Sequence, residues 1–486
     1  MNTHKLQGHP TELTLALRKK EWMRSLSTLI RIAIISVSFA GHLQAENKNL
    51  PPASAFNMTE MKDPSTLDLK ILKDDLVSVA KEGDLKVRCI HLEFLSQSWG
   101  GENIRHLAKV FLPENGIAES KHGMAIINQG DSSNKAKGFD FEQEYGAITA
   151  AKLGIPSMLL QSNMPGDHWG VKGQAPIRRY TAAKFFESGD PNWIHWIALA
   201  KVYMRAMTVL STLDEVQANQ FVLIGSSKRA QSIWIAAAVD DRIRGIVPIA
   251  RPGNFLHLLL EHNPTPGALP DRNAIRTTHE GSKYDYMVHL EDMYTTRGYE
   301  YMAYIDPRQF LSRVNVPVMY VIGTNDNLFN NFDDHGFYPL YQGDKSFAYV
   351  PNYRHGMGSA IHAEVARAWI AHSFWGRPTT SVTALESVDQ NALTISAIVK
   401  SKAEITSVRL YYCFLQGMMF NDAKDRYQSV RMKREKSTAL WNASIPPAKS
   451  PTSEIYWYVE TKDQADGLES IATTLLKRSS NPSRKN

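Results

Sequence analysis

From about residue 86 to residue 376 the chain alternates apolar, β-branched runs with helical stretches, and this alternation limits the fold more than any single motif does. Strands are expected at Lys86 to Ser96, Arg105 to Leu112, Met124 to Asn128, Ser157 to Gln161, Gln220 to Ile224, Ile243 to Ile249, Val316 to Ile322 and Ser346 to Val350. Helices are expected between them, notably at Phe141 to Leu153, Trp193 to Leu213, Lys228 to Val239 and His362 to Phe374. Such an order implies an α/β architecture, a mostly parallel sheet covered by helices on both faces. The Pro-rich segment 251–313, with Pro252-Gly253, Pro264, Pro266-Gly267 and Pro270, breaks the pattern and reads as a cap inserted over the strand ends. After Thr379 short alternating runs separated by polar turns, with Asp466-Gly467 as a hairpin signal, predict a β-sandwich of the immunoglobulin or fibronectin type over 379–476.

The chain holds 486 residues, 43% hydrophobic and 21% charged, proportions that exclude disorder and collagen and exceed one average domain. Its net charge of +6 raises the question of a nucleic acid or membrane surface as partner. The excess sits at the ends: six basic groups against two acidic ones lie in residues 1–45, and Lys477, Arg478, Arg484 and Lys485 in the last ten residues, so the body between is slightly acidic. Nucleic acid is therefore not an expected partner. Residues 1–45 read as a signal peptide: Arg18, Lys19, Lys20 and Arg24, then an apolar run from Ile32 to Gly41, then Leu43-Gln44-Ala45 before a polar segment, with cleavage expected after Ala45. That run of about ten residues is short for ~30 Å of hydrocarbon, so the expected product is exported, periplasmic or extracellular, with no transmembrane anchor after cleavage; an uncleaved anchor is the alternative. A lead segment of irregular structure is expected over 46–78, an α/β domain over 79–376, and a solvated basic tail over 477–486. Cys89 and Cys413 are the two cysteines, too few for a disulfide framework or a thiolate metal site; whether they pair is open.

The chemistry is concentrated in Gln220 to Ala230, where an apolar strand runs through Gly225-Ser226-Ser227 into a helix. A strand, a sharp turn and a helix form a nucleophile elbow, and the turn requires a small residue two positions before the nucleophile, where a side chain would strike the neighbouring strand. This register selects Ser227, with Gly225 behind it, although Arg229 stands where a second glycine is usual and the small residue is displaced to Ala230. The competing reading is that Ser227 caps the following helix. Further along, the strand from Val316 delivers Gly323-Thr324-Asn325-Asp326, and the strand from Ser346 delivers Tyr353-Arg354-His355-Gly356. The order Ser, Asp, His, with acid and base each just beyond a strand, is that of the α/β-hydrolases. Ser227 would attack, His355 would take and return its proton, and Asp326 would hold the imidazole's tautomer. Asp333, Asp334 and His335 are alternatives that rank lower because no strand directly precedes them. Oxyanion donors are expected at the Lys228 backbone N–H and at Gly130 or Asp131, in the turn after Met124 to Asn128.

Three other patterns are set aside. His257 and His262 flank Glu261 but lie five apart, about 140° around a helix, where zinc ligation wants i and i+4. Gly225-Ser-Ser-Lys228 lacks the upstream glycine and the following Ser/Thr of a phosphate loop. The aromatic residues between Trp193 and Tyr203 recur at helical spacing, as core residues do. No metal or organic cofactor is expected.

The combination resembles the PhoPQ-activated pathogenicity-related protein family. The resemblance is carried by Leu95-Ser96-Gln97-Ser98-Trp99, by Gly225 through Ala230 with Ala236, Ala237, Val239 and Asp240, by Ile305-Asp306-Pro307, by Val316 through Asp326, and by Tyr349-Val350-Pro351-Asn352 with His355-Gly356. It spans roughly residues 85–376 and makes Arg229 a family trait. The chain departs from the pattern at Ala230, where the family usually has Gly, and at Asn325 to Phe329, where a Gly-Asp-Glu-Phe-Phe type run is usual; the Asp is kept. The resemblance implies an exported α/β-hydrolase-like domain linked to virulence and antimicrobial-peptide resistance. The expected function is a serine hydrolase cleaving an ester or amide of a small molecule or peptide, with a serine aminopeptidase or a non-catalytic binding protein as alternatives. The C-terminal domain is a candidate for envelope or glycan contact, or a brace.

Overall fold

Strands buried on both faces read as unbroken apolar runs, and Met124–Gln129, Ser157–Leu160 and Val318–Gly323 are buried at every position. The computed structural model describes residues 49–80, 83–130, 139–161, 163–250, 294–326, 338–389, 392–415, 427–436, 438–446 and 454–481. One sheet contains β1 (Lys70–Ser78), β2 (Lys86–Trp99), β3 (Glu102–Pro113), β4 (Met124–Gln129), β5 (Ser157–Leu160), β6 (Gln220–Ser226), β7 (Ile243–Ile249), β8 (Val318–Gly323) and β9 (Lys345–Val350). Their order is β1-β2-β3-β5-β4-β6-β7-β8-β9. The pairs from β1 to β5 through β2 and β3 are antiparallel, and those from β5 through β4 to β9 are parallel. From β4 the chain steps out to β5 on one side and returns to β6 on the other. Such a reversal opens a crevice at the strands' carboxyl ends, where α/β sheets place ligands. The fold is α/β-hydrolase-like.

Among the described residues the longer helices include α1 (Met58–Lys62), α2 (Ile148–Leu153), α3 (Gln174–Ser188), α4 (His195–Thr212), α5 (Lys228–Ala237), α6 (Thr296–Ile305) and α7 (Ala360–Trp375). Residues of α3 to α6 fill a core on one face of the sheet, and residues of α2 and α7 fill a second on the other. Alternate residues of β4 divide between them, Ala125 and Ile127 to the first, Met124 and Ile126 to the second. Helix α4 is apolar nearly all round and accordingly buried. Its one guanidinium, Arg205, is 2% exposed and donates to the carbonyls of Glu60 (2.8 Å) and Asp63 (2.7 Å) and to Thr66 Oγ1 (2.9 Å). Those bonds organise a segment expected to be irregular; Met61 and Leu67 join the first core, and β1 pairs with β2 from Lys70↔Glu93 to Ser78↔Lys86.

Of the segment expected as a cap, residues 251–293 lie outside the described residues; within 294–313, Tyr301, Met302, Ile305 and Phe310 join the first core, and Gln231 Nε2 donates to the Ile305 carbonyl.

Beyond α7, two antiparallel sheets face each other. One holds β10 (Thr380–Asp389), β11 (Ala392–Ser401), β14 (Lys433–Arg434) and β15 (Leu440–Ile445); the other holds β12 (Glu404–Leu415), β13 (Gln428–Arg431), β16 (Glu454–Ala465), β17 (Leu468–Thr473) and β18 (Lys477–Ser480). Ile395, Ala397, Leu410 and Trp457 lie in the core between them. The opposite face of the second sheet packs on the α/β body, since Tyr456 and Tyr458 belong to the first body core and Leu468 and Ile471 to the second. Arg377, just past α7, seals the junction by donating to Asp463 (2.7 Å) and to the Leu468 carbonyl (2.6 Å). Of the expected solvated tail, Lys477 and Arg478 instead lie in β18, paired with β16, where Lys477 Nζ donates to the Ala384 carbonyl (2.7 Å) and Arg478 pairs with Glu454 (3.0 Å), while Arg484 and Lys485 lie outside the described residues. Cys89 and Cys413 are unbridged and buried, and burial pushes the Cys89 thiol up to about 12.

Glu460 of β16 is 1% exposed, and burial pushes its carboxyl from 4.5 to about 7. Below pH 4.5 both folded and unfolded chains hold this proton; between 4.5 and 7 the unfolded chain releases it first, so folding loses stability as pH rises through that window. Glu460→Gln should remove this loss: its Tm relative to the unsubstituted protein should climb between pH 4.5 and 7 and level off above, measured by thermal unfolding across pH.

Candidate active site

Strand β6 ends at Ser226 and α5 begins at Lys228, so Ser227 must reverse the chain alone. It does so at φ 57° and ψ −123°, a conformation that costs a non-glycine residue about 1–3 kcal/mol. Its N–H donates to the Ile249 carbonyl of β7 (2.9 Å) and its carbonyl accepts from Gln231 N (3.2 Å), which pins the turn from both sides. The hydroxyl makes no capping hydrogen bond, so the helix-cap reading of Ser227 does not hold. The neighbouring serine is engaged differently: Ser226 is 5% exposed, and its N–H (2.8 Å) and hydroxyl (3.2 Å) both donate to Gln129 Oε1 at the end of β4. Gly225 is required sterically, though the obstruction is not the neighbouring strand. A Cβ there would lie 2.9 Å from the Tyr203 hydroxyl and 3.0 Å from Arg229 Cβ, so the start of α5 and the buried helix α4 leave no room.

The Asp326 and His355 turns are zipped together by backbone. Thr324 N–H donates to the Val350 carbonyl (3.0 Å) and Asn325 N–H to the Tyr353 carbonyl (3.0 Å), while Asn352 N–H donates to Thr324 Oγ1 (2.7 Å). Gly323 admits this approach, because a Cβ on it would run into the Tyr353 carbonyl. The result is a 2.9 Å hydrogen bond between His355 Nδ1 and Asp326 Oδ2, with the carboxylate fully buried and the ring 18% exposed. With Nδ1 donating to the carboxylate, Nε2 is the nitrogen able to accept a proton.

Ser227, Asp326 and His355 all follow the carboxyl ends of parallel strands. The ladder pairs Ser226 with Ile249, Ile249 with Val321, and Gly323 with Val350, which sets the three turns along one sheet edge. The structure thus brings Asp326 and His355 into contact and stands half-buried Ser227 on the same edge. Among the described residues no hydrogen bond joins the Ser227 hydroxyl to the His355 ring. Asp333, Asp334 and His335 lie outside the described residues.

Lys228 opens a ten-residue helix, where first-turn N–H groups have no intrahelical acceptor. Gly130 fails as the second oxyanion donor: its N–H extends the β4–β5 ladder to the Leu160 carbonyl (2.6 Å). Asp131 lies outside the described residues, as do His257, Glu261 and His262. Lys228, Arg229 and Arg178 are buried, at 8%, 6% and 8% exposed, and Lys228 Nζ donates to Gln174 Oε1 (2.8 Å). Burial, and then the charges of Lys228, Arg178 and Arg229, hold the His195 imidazole well below its usual range. Gln129, Gln174, Arg178 and Thr324 were not singled out by sequence, since their roles come from strands and helices distant along the chain. A cavity of about 400 Å³ lined by Leu72, Leu107, Phe141 and Leu159 contains none of Ser227, Asp326 and His355. Among the described residues no cluster of His, Cys, Asp and Glu could hold a metal.

A family model described as PhoPQ-activated pathogenicity-related protein matches residues 73–416. Autocrine proliferation repressor protein A of Dictyostelium discoideum is 23% identical over 288 residues, 55% of this chain and 55% of that protein, so the chain spans about half the length of that relative. Similar solved structures include an acetyl xylan esterase from Paenibacillus sp. R4, at 15% identity and a TM-score of 0.45 over 68% of this chain and 99% of the other. Another is acetyl xylan esterase 1 from Thermoanaerobacterium sp. JW/SL YS485, at 17% identity and a TM-score of 0.40 over 63% of this chain and 89% of the other.

The strain at Ser227 has a measurable signature. Ser227→Gly should be more stable than Ser227→Ala by about 1 kcal/mol, because glycine alone relieves the positive φ. Denaturant unfolding of the two variants checks this; equal stability would mean that the turn carries no strain.

Proposed function

The chain belongs to the PhoPQ-activated pathogenicity-related protein family, and we propose that it is a serine hydrolase cleaving an ester or amide bond through an acyl-enzyme on Ser227. The observation that carries this reading is the Asp326–His355 hydrogen bond, formed on the sheet edge where Ser227 is held in a strained elbow with its hydroxyl free of capping. Ser227 Oγ attacks the carbonyl carbon while His355 Nε2 takes its proton. His355 then returns that proton to the departing alcohol or amine, leaving the acyl group on Ser227. Water, activated by the same nitrogen, attacks the acyl carbonyl and releases the acid and the free serine. Asp326 fixes the Nδ1–H tautomer and stabilises the ring while it is charged. The Lys228 N–H at the start of α5 stabilises the oxyanion. The substrate is an ester or peptide outside the cytoplasm; the basic-then-apolar order of residues 1–45 supports export.

A fluorophosphonate probe tests the mechanism. It should label the protein at Ser227 and not the Ser227→Ala variant, and Asp326→Asn should slow labelling by about 10³–10⁴-fold by leaving the imidazole in the wrong tautomer. A folded protein that resists the probe would refute the proposal.

A further inference from the structure

We infer that Asn352 is a positioning residue through which the C-terminal sheets hold the turn carrying His355. This rests on the reading of His355 as the general base. Asn352 lies just past β9, three residues before His355, at φ 55°, a left-handed conformation that asparagine tolerates better than most residues. Its side-chain amide faces the backbone of Tyr427: Nδ2 donates to the Tyr427 carbonyl (2.9 Å) and Oδ1 accepts from the Tyr427 N–H (2.8 Å). Both polar groups of one residue's backbone are thus met by one planar amide, which fixes orientation as well as distance. A rotated amide would set donor against donor.

The anchor is packed in a cluster of tyrosines. Tyr427 is buried directly before β13, with its ring 5.7 Å from that of Tyr458, which in turn stacks on Tyr411 at 5.1 Å and packs on Tyr349 of β9 at 4.9 Å. At its other end, the Asn352 N–H bonds Thr324 Oγ1, two residues before Asp326. Asn352 therefore joins three segments: the His355 turn, the Asp326 turn and the sandwich. It is exposed, so its removal opens no core, and the lost clasp is the main consequence expected. A displacement of about 1 Å in a catalytic group can cost roughly 10²-fold in rate.

The test compares Asn352→Gly and Asn352→Ala in the full chain. Glycine keeps the positive φ and lacks the clasp, whereas alanine lacks both. Two readouts are taken: the fluorophosphonate labelling rate as a function of pH, and hydrogen exchange of residues 323–326 and 351–357, with unchanged exchange in β6 and α5 showing that the fold is kept. Both variants should label about tenfold to a hundredfold more slowly, with a displaced pH midpoint and faster exchange in the two turns. If Asn352→Gly labels like the unsubstituted protein, only backbone conformation matters and the proposal falls. Unchanged exchange in the turns removes it equally. A folded, unsubstituted protein that does not label at all overturns the hydrolase reading and the positioning role with it, an outcome distinct from normal labelling in both protein and variants.

Discussion

A carboxylate removed from water must have its charge met by hydrogen-bonding partners, and the side chain of Asp326, shut off from solvent, meets that demand in part through the His355 ring. The arrangement of the site depends on this pairing. It can form because β8 and β9 are parallel neighbours whose carboxyl ends coincide, Gly323 facing Val350, so that the two following turns begin side by side. The backbone bonds between those turns then hold carboxylate and imidazole at one separation before any substrate arrives, which is the condition for electrostatic preorganisation. The elbow at Ser227 meets the same edge by a different device, a strained reversal pinned by Ile249 and Gln231.

The sandwich belongs to this arrangement. Domains joined by a polar, modest interface move relative to one another, whereas a large apolar interface prevents it. Here tyrosines of β16 complete one body core and residues of β17 complete the other. Arg377 and Asp463, each 1% exposed at the side chain, form a buried ion pair at the crossover. Removing either partner would strand the other's charge, a loss of about 3–5 kcal/mol for a pair of this kind. The second sheet is in effect a further layer of the α/β body.

Much of this was legible in the sequence where the signal is local. The doubly buried strands are continuous apolar runs, and the chain order Ser227, Asp326, His355 follows strand ends. Legibility failed where exposure or distance decides. β1 (Lys70–Ser78) has no position fully buried and carries charges on both faces, so it lacks the alternation that marks a strand. Helix α3 shows almost no amphipathic periodicity in its sequence, because the stripe it buries carries polar Arg178 and Thr181 among Ile177, Ala182 and Phe185. Lys477 and Arg478 looked like a solvated end because their strand partners lie in β16, and Gly130 looked like a free donor because its acceptor, Leu160, lies in β5. The amide of Asn352 faces Tyr427, 75 residues away, and no spacing rule reaches across that interval.

The same weak patterning of β1 has a use. It is the outermost strand of the nine-strand sheet, with Ile71, Leu72 and Leu76 exposed, and an unpaired strand edge of that kind is a template on which further chains can polymerise. An irregularity in its ladder between Ile71 and Lys73 bends the edge, and Lys70, Lys73, Asp74 and Asp75 would place charge inside any added pairing. The residues that hide this strand from pattern reading thereby raise the cost of intermolecular sheet growth, a safeguard that a chain crowded with others of its kind would need.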